Sequence, residues 1–150
     1  MPTDLRRLAS DDLPRLRQYW NEHWSGDFIV TRGVIHQPGQ VEGFVVEDAD
    51  AWAGLITFKV AEDECEVISL DGLRDGEGIG TRLLRKVIEE ARSRKCRRIF
   101  LITTNDNLYA LGFYQRRDFE IAAVYRGAVN ESRKIKPGIS EIGLNHIPSR

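Results

Sequence analysis

The chain reads as an α/β domain in which helices cover a mixed sheet, and three observations predict it. Apolar, β-branched runs recur at 43–47, 51–60, 65–70 and 97–104, the composition of strands buried in a sheet. Between the last two, Ile79, Leu83, Leu84, Val87, Ile88 and Ala91 recur at helical spacing. Arg82, Arg85, Lys86, Glu89, Glu90 and Arg92 fill the opposite face, as in an amphipathic helix. The third is the order of elements, β-α-β-β-β-α-β-α-β-β, which interleaves strands and helices along one chain.

Taken in order, residues 3–8 form a first strand. Ser10 is a good N-cap, Asp11 and Asp12 suit a first helical turn, and Leu13, Leu16, Tyr19, Trp20 and Trp24 follow at helical spacing. Pro14 lies close enough to the start to be tolerated. Between 25 and 40 the pattern breaks at Gly26, Gly33, Pro38 and Gly39, a loop or short helix. Strands follow at 43–47 and 51–60, then an acidic turn at 61–64 and the strand 65–70. Beyond the central helix come an interior strand at 97–104, a short helix at 107–117, a strand at 120–129 and a last strand over 139–147. Internal repeats and low-complexity segments are absent.

A chain of 150 residues predicts a single domain spanning 1–150, large enough for one core. Its 41% hydrophobic and 30% charged composition is that of a soluble globular protein. A formal net charge of −1 gives no electrostatic case for nucleic acid or an anionic membrane. No apolar run approaches the roughly 20 residues of a membrane span. The N-terminal stretch lacks a signal-peptide core, so a cytoplasmic location is expected. Cys65 and Cys96 provide neither a disulfide framework nor a CxxC site and read as buried thiols. His23, His36 and His146 have no metal-ligand spacing and read as ordinary surface residues, with His23 and His36 alternatively lining an acceptor pocket. Ser69 lacks the G-x-S-x-G setting of a hydrolase nucleophile.

The chemistry concentrates where the strand 65–70 leads into the central helix. Gly76, Gly78 and Gly80 alternate just before the helix begins, which presents unpaired backbone N–H groups at a helix N-terminus. Residues without side chains let a phosphate come close to that backbone. A Walker loop would need lysine after Gly80, where Thr81 stands. A dinucleotide fingerprint would need G-x-G-x-x-G and an acid after the next strand, where Thr103 and Thr104 stand. A glycine-rich turn that merely starts a helix is the bland alternative.

The run Asp75-Gly-Glu-Gly78-Ile-Gly80 resembles the [QR]-x-x-G-x-[GA] motif of the GNAT N-acetyltransferase superfamily, with Asp75 in place of glutamine or arginine. Asn107-Leu-Tyr-Ala110-Leu-Gly-Phe113-Tyr114 resembles the superfamily's N-x-x-A-x-x-F-Y helix. In the following Arg117-Asp118-Phe119, aspartate stands for the usual glycine, a residue that tolerates positive φ. The resemblance covers residues 65–119. It implies a mixed, mostly antiparallel sheet of about six to seven strands with flanking helices. It also implies acetyl-CoA as co-substrate, no metal, and direct acetyl transfer to a small-molecule or peptide amine; a homodimer is compatible with it.

By this resemblance Gly76, Gly78, Ile79, Gly80 and Thr81 hold the pyrophosphate, and the Leu70 N–H polarises the acetyl carbonyl. Asn107 either bonds the cofactor or caps its helix. Tyr114 is the acid for the departing thiolate, or else a packing aromatic. Glu66 is the base, or else a solvated continuation of the acidic turn. Residues 24–34 form a wall of the acceptor site, while Trp20 and Trp24 read as core. The basic stretch 126–136 reads as a solvated loop. The alternative function is a non-catalytic, CoA-binding regulatory domain, to which Asp75 and Glu77 give weight because carboxylates beside a pyrophosphate oppose binding.

Overall fold

In the computed structural model, which describes residues 3–72 and 76–150, the elements follow one another as β1 (Asp4–Arg7), α1 (Leu13–His23), β2 (Ile29–Thr31), β3 (Val34–His36), β4 (Glu42–Asp48), β5 (Ala51–Ala61), β6 (Glu64–Gly72), α2 (Ile79–Ser93), β7 (Arg98–Leu101), α3 (Leu108–Gln115) and α4 (Ala128–Ile135). The main sheet has five strands in the order β1-β4-β5-β6-β7, and β2 with β3 forms a separate hairpin. Neighbours in the main sheet are antiparallel except β6 and β7, which α2 connects in parallel. The architecture is the expected mixed, mostly antiparallel sheet with flanking helices.

Alternation along the strands divides the core into two layers. Phe44, Val46, Ile56, Phe58, Cys65 and Val67 face Leu83, Leu84 and Val87 of α2. Val45, Leu55, Trp52 and Ile68 face Leu16 and Trp20 of α1. At Gly54 a Cβ would lie 2.4 Å from Ile79 Cγ2, so only glycine lets α2 approach β5 this closely. In β6 the ladder slips: Phe58 pairs with Val67 but Thr57 with Ser69, which leaves Ile68 as an extra residue. Cys65, Val67 and Leu70 therefore lie on the α2 side, while Ile68 lies on the α1 side.

Pairing of β6 with β7 stops at Val67 and Leu101. Among the described residues, no strand lies beyond the β6 edge from 68 to 72. This opening sets the position of the candidate site.

Four stretches differ from the sequence reading. The run 97–104, expected as an interior strand, forms only the four residues of β7 at the edge of the main sheet. The segment 25–40 contains the β2–β3 hairpin, closed by Arg32 and Gly33 at φ 48° and 81°, the positive pair a tight hairpin turn requires. The expected strand at 120–129 has no regular structure up to 125 and then enters α4, whose cap is Gly127 at φ 76°. Its Ile121 and Val124 have the residue types of a strand but remain exposed, with no ladder to bury them. The expected strand at 139–147 is reduced to one bridge, Ile142 with Pro148, and a 3-10 turn at Leu144–His146. There the Arg133 guanidinium donates to the carbonyls of Ile139, Ser140 and Ser149, satisfying acceptors that a ladder would otherwise serve. Asp75 and Arg74, which carry the departure from the glycine-loop motif, lie outside the described residues.

Candidate active site

Helix α2 starts without a side-chain cap, on Gly78 at φ 70° with Gly76 at φ 77° before it. The first intrahelical bond runs from the Arg82 N–H to the Gly78 carbonyl at 3.0 Å. The N–H groups of Ile79, Gly80 and Thr81 thus have no acceptor within the helix. A Cβ added at Gly76 or Gly78 would meet no atom within 4 Å, so the backbone on that side faces open space an anion could fill.

That space continues into a cleft of about 400 Å³. One wall is Leu70, Gly72, Gly76, Gly78, Ile79, Gly80 and Thr81; the other is Asn107, Tyr109, Ala110, Phe113, Tyr114 and Arg117. Every sequence candidate except Glu66 lines this cleft. The Asn107 side chain accepts the Ala110 N–H at 3.0 Å and caps α3. Asp118 takes φ 70°, the left-handed conformation expected of it. Tyr114 is half-buried, edge-on between Phe113 and Phe119. Burial, then the nearby Asp71 charge, push its hydroxyl pKa above the ordinary phenol range. The hydroxyl is therefore protonated over all ordinary pH and available as a donor.

Arg117 was not singled out by sequence. Its guanidinium donates to Thr81 Oγ1 at 2.8 and 3.0 Å and to the Phe113 carbonyl at 2.9 Å, lying 3.7 Å from the Phe113 ring centroid. It places a cation on the cleft wall beside the glycine loop. The signal was its position in Arg117-Asp118-Phe119, where only the backbone role of Asp118 was read.

Glu66 faces the hairpin. Its Oε2 accepts from Thr31 Oγ1 at 3.0 Å, and the same hydroxyl lies 2.6 Å from His36 Nε2. With its one proton given to Glu66, the Thr31 oxygen accepts from His36, which assigns the proton to Nε2 of the imidazole. His36 is buried, contrary to the surface reading, because β3 turns it inward. Burial and then the Lys59 charge lower its pKa to about 4. Burial raises the Glu66 carboxyl above the usual range, against the opposing Thr31 hydrogen bond.

Asp71, also missed, sits between the cleft residues Leu70 and Gly72. Its Oδ2 accepts from Trp24 Nε1 at 3.1 Å. Burial pushes the carboxyl up to about 6, opposed by the Trp24 bond and the His23 charge. Trp24 is thus a polar contact as well as part of the α1-side packing. Lys136 is buried instead of solvated: its ammonium donates to the Trp24 carbonyl at 2.5 Å and to the Phe28 carbonyl. It fixes the loop that carries Trp24. Among the described residues, no group of three or more His, Cys, Asp or Glu could hold a metal ion, and no helix is long and apolar enough to cross a membrane.

A glycine loop on a helix N-terminus, facing an opened strand edge, is the arrangement the GNAT resemblance implies, and sequence comparison agrees. A sequence model of the acetyltransferase (GNAT) family matches residues 3–119; the chain belongs to that family. It is 40% identical over 133 residues to the protein YxbD of Bacillus subtilis (strain 168), covering 88% of this chain and 84% of YxbD. An IAA acetyltransferase from Bacillus cereus ATCC 14579 has the same fold, with TM-score 0.70 at 17% identity over 99% of this chain and 94% of that one. A GNAT family acetyltransferase from Elizabethkingia anophelis with acetyl-CoA bound matches with TM-score 0.70 at 15% identity, over 98% of this chain and 92% of that one. At these identities the two structures speak for the fold alone.

Proposed function

We propose that residues 1–150 act as one N-acetyltransferase domain that moves an acetyl group from acetyl-CoA directly to an amine of a small molecule or peptide. The observation that carries this reading is the cleft: the open N-terminus of α2, the unpartnered β6 edge and the Tyr114 ring all border one space. Acetyl-CoA, when bound, supplies an activated thioester. Gly76, Gly78, Ile79, Gly80 and Thr81 would hold its pyrophosphate, with the Arg117 cation behind Thr81 adding favourable charge. The β6 edge would receive the pantetheine amides as a strand-like partner, with the Leu70 N–H as donor to the acetyl carbonyl. Asn107 lies along the same path. The Tyr114 hydroxyl would give its proton to the departing sulfur. A carboxylate on the α1 side of β6 would take the proton of the acceptor; Glu66 is the candidate the sequence names.

Thiol release from acetyl-CoA, measured across amino acids, polyamines, peptide N-termini and lysine side chains, tests the proposal. Release that depends on one of these amines is the expected result. Tight CoA binding with no release across the panel would favour the non-catalytic, CoA-binding regulatory alternative.

A further inference from the structure

We infer that Asp71 is the group that receives the ammonium of the acceptor and takes its proton, so that the acceptor is a cationic amine entering between Trp24 and Tyr114. The inference rests on the acetyl-transfer reading above and names the residue that would make that transfer run. Asp71 is flanked in sequence by two cleft residues, Leu70 and Gly72. It pairs with Leu55 in the β5–β6 ladder, and its carboxylate is held on the α1 side by the single Trp24 N–H. A carboxylate has about four acceptor positions, and half-buried Asp71 has a protein donor, Trp24, at one of them. Among the described residues, no lysine or arginine pairs with Asp71. A cationic ligand would complete it. Glu66, by contrast, lies where β6 is still paired on both sides, opposite Phe100 and Lys59, and already has Thr31 as donor.

The surroundings suit proton transfer. Among the described residues, the titratable groups facing Asp71 are Tyr19 and His23 of α1 and Tyr114 of α3; Trp24 at the end of α1 is neutral. Burial, and then the Asp71 charge, raise the pKa of both tyrosines, so they stay neutral at pH 7. The Asp71 carboxyl, lifted to about 6, is ionised at neutral pH and is a better base than an exposed aspartate. The step balances without any oxidant or reductant. The C–N bond forms, the C–S bond breaks, and the ammonium begins with three protons. One stays on the amide nitrogen, one replaces the proton Tyr114 gives to the thiol, and one leaves to solvent through Asp71.

The test is the pH profile of kcat/KM, measured with the best amine of the panel for the parent, Asp71→Asn, Glu66→Gln and His23→Gln. Asparagine keeps an oxygen for the Trp24 N–H, so the fold is retained. The expected result is an acid limb near pH 6 in the parent, a fall of about 10²-fold or more in Asp71→Asn with that limb gone, and heat stabilisation by CoA unchanged. The limb should persist in His23→Gln. An Asp71→Asn enzyme of parental activity with its limb intact overturns the inference alone, as does a limb that disappears with His23 or with Glu66 instead. No thiol release by the parent with any amine overturns the acetyl-transfer reading and this inference with it.

Discussion

Asp71→Asn should make the protein more stable at neutral pH while it disables transfer. The folded carboxyl titrates at about 6, against 3.8 for an ordinary aspartate. The difference is about two units, which at roughly 1.4 kcal/mol per unit amounts to about 3 kcal/mol. The sign follows from proton affinity. Because the folded state holds the proton more tightly, stability is full below about pH 4, declines as pH rises through the folded pKa, and stays reduced above it. Asparagine carries no charge to desolvate and retains the Trp24 bond. The variant should therefore exceed the parent by up to about 3 kcal/mol above pH 7, or roughly 6–12 °C in Tm for a domain of this size. Below about pH 4 the two should coincide. Thermal denaturation of both proteins at the two pH values is the assay. His36, whose depressed pKa destabilises the fold in acid, acts equally on both and cancels in the comparison. A variant no more stable than the parent at neutral pH, or a gap that persists in acid, would refute the argument from burial.

Three further perturbations address the cleft and its supports. Gly78→Val should cost about 1–2 kcal/mol, because its φ of 70° disfavours a β-branched residue, and should abolish the rise in Tm that CoA gives the parent. An undiminished rise would place the pyrophosphate elsewhere. Tyr114→Phe should lower single-turnover acyl transfer by about 10²–10⁴ while calorimetric CoA affinity holds; a rate within about twofold of the parent removes the hydroxyl from the chemistry. Lys136→Met keeps the aliphatic stem but leaves the Trp24 and Phe28 carbonyls without their donor. It should cost about 1–3 kcal/mol in chemical denaturation and raise KM for the amine more than for acetyl-CoA. Unchanged stability would show that loop to be held by other contacts.

What the sequence revealed was local. The amphipathic run from Ile79 to Ala91, the apolar strands around it and the spacing of the glycines all express contacts made within a few residues. They placed the glycine-loop wall of the cleft, while Asn107 and Tyr114 on the other wall came from the motif resemblance and Gly72, Tyr109 and Arg117 were not anticipated. The left-handed backbone at Asp118 was legible for the same reason. Asp71 was invisible because nothing near it in sequence explains it; its meaning depends on Trp24, 47 positions away. Lys136 looked like one more charge in a basic stretch until the fold brought it to carbonyls 108 and 112 positions earlier. The strands expected near the C-terminus failed because β-branched composition describes a residue's preference but supplies no neighbour to pair with. The β2–β3 hairpin escaped notice because its turn depends on Arg32 adopting positive φ, which arginine does not advertise.

The extra residue in β6 gives that strand an odd–even logic. A strictly alternating strand that buried Cys65 and Val67 beneath α2 would also turn the aspartate at 71 into that apolar layer and send Leu70 to the opposite face. Ile68 advances the phase by one, so both layers receive an apolar side chain and the carboxylate emerges toward Trp24 on the α1 side. Strict alternation over the same residues would reverse every side chain after Ile68, whereas deleting Ile68 would remove the bulge and leave Ser69, Leu70 and Asp71 on their present faces. The faces of Leu70 and Asp71 are therefore set by how β6 pairs with β5 at this one point, a dependence that a count of hydrophobic residues would never disclose.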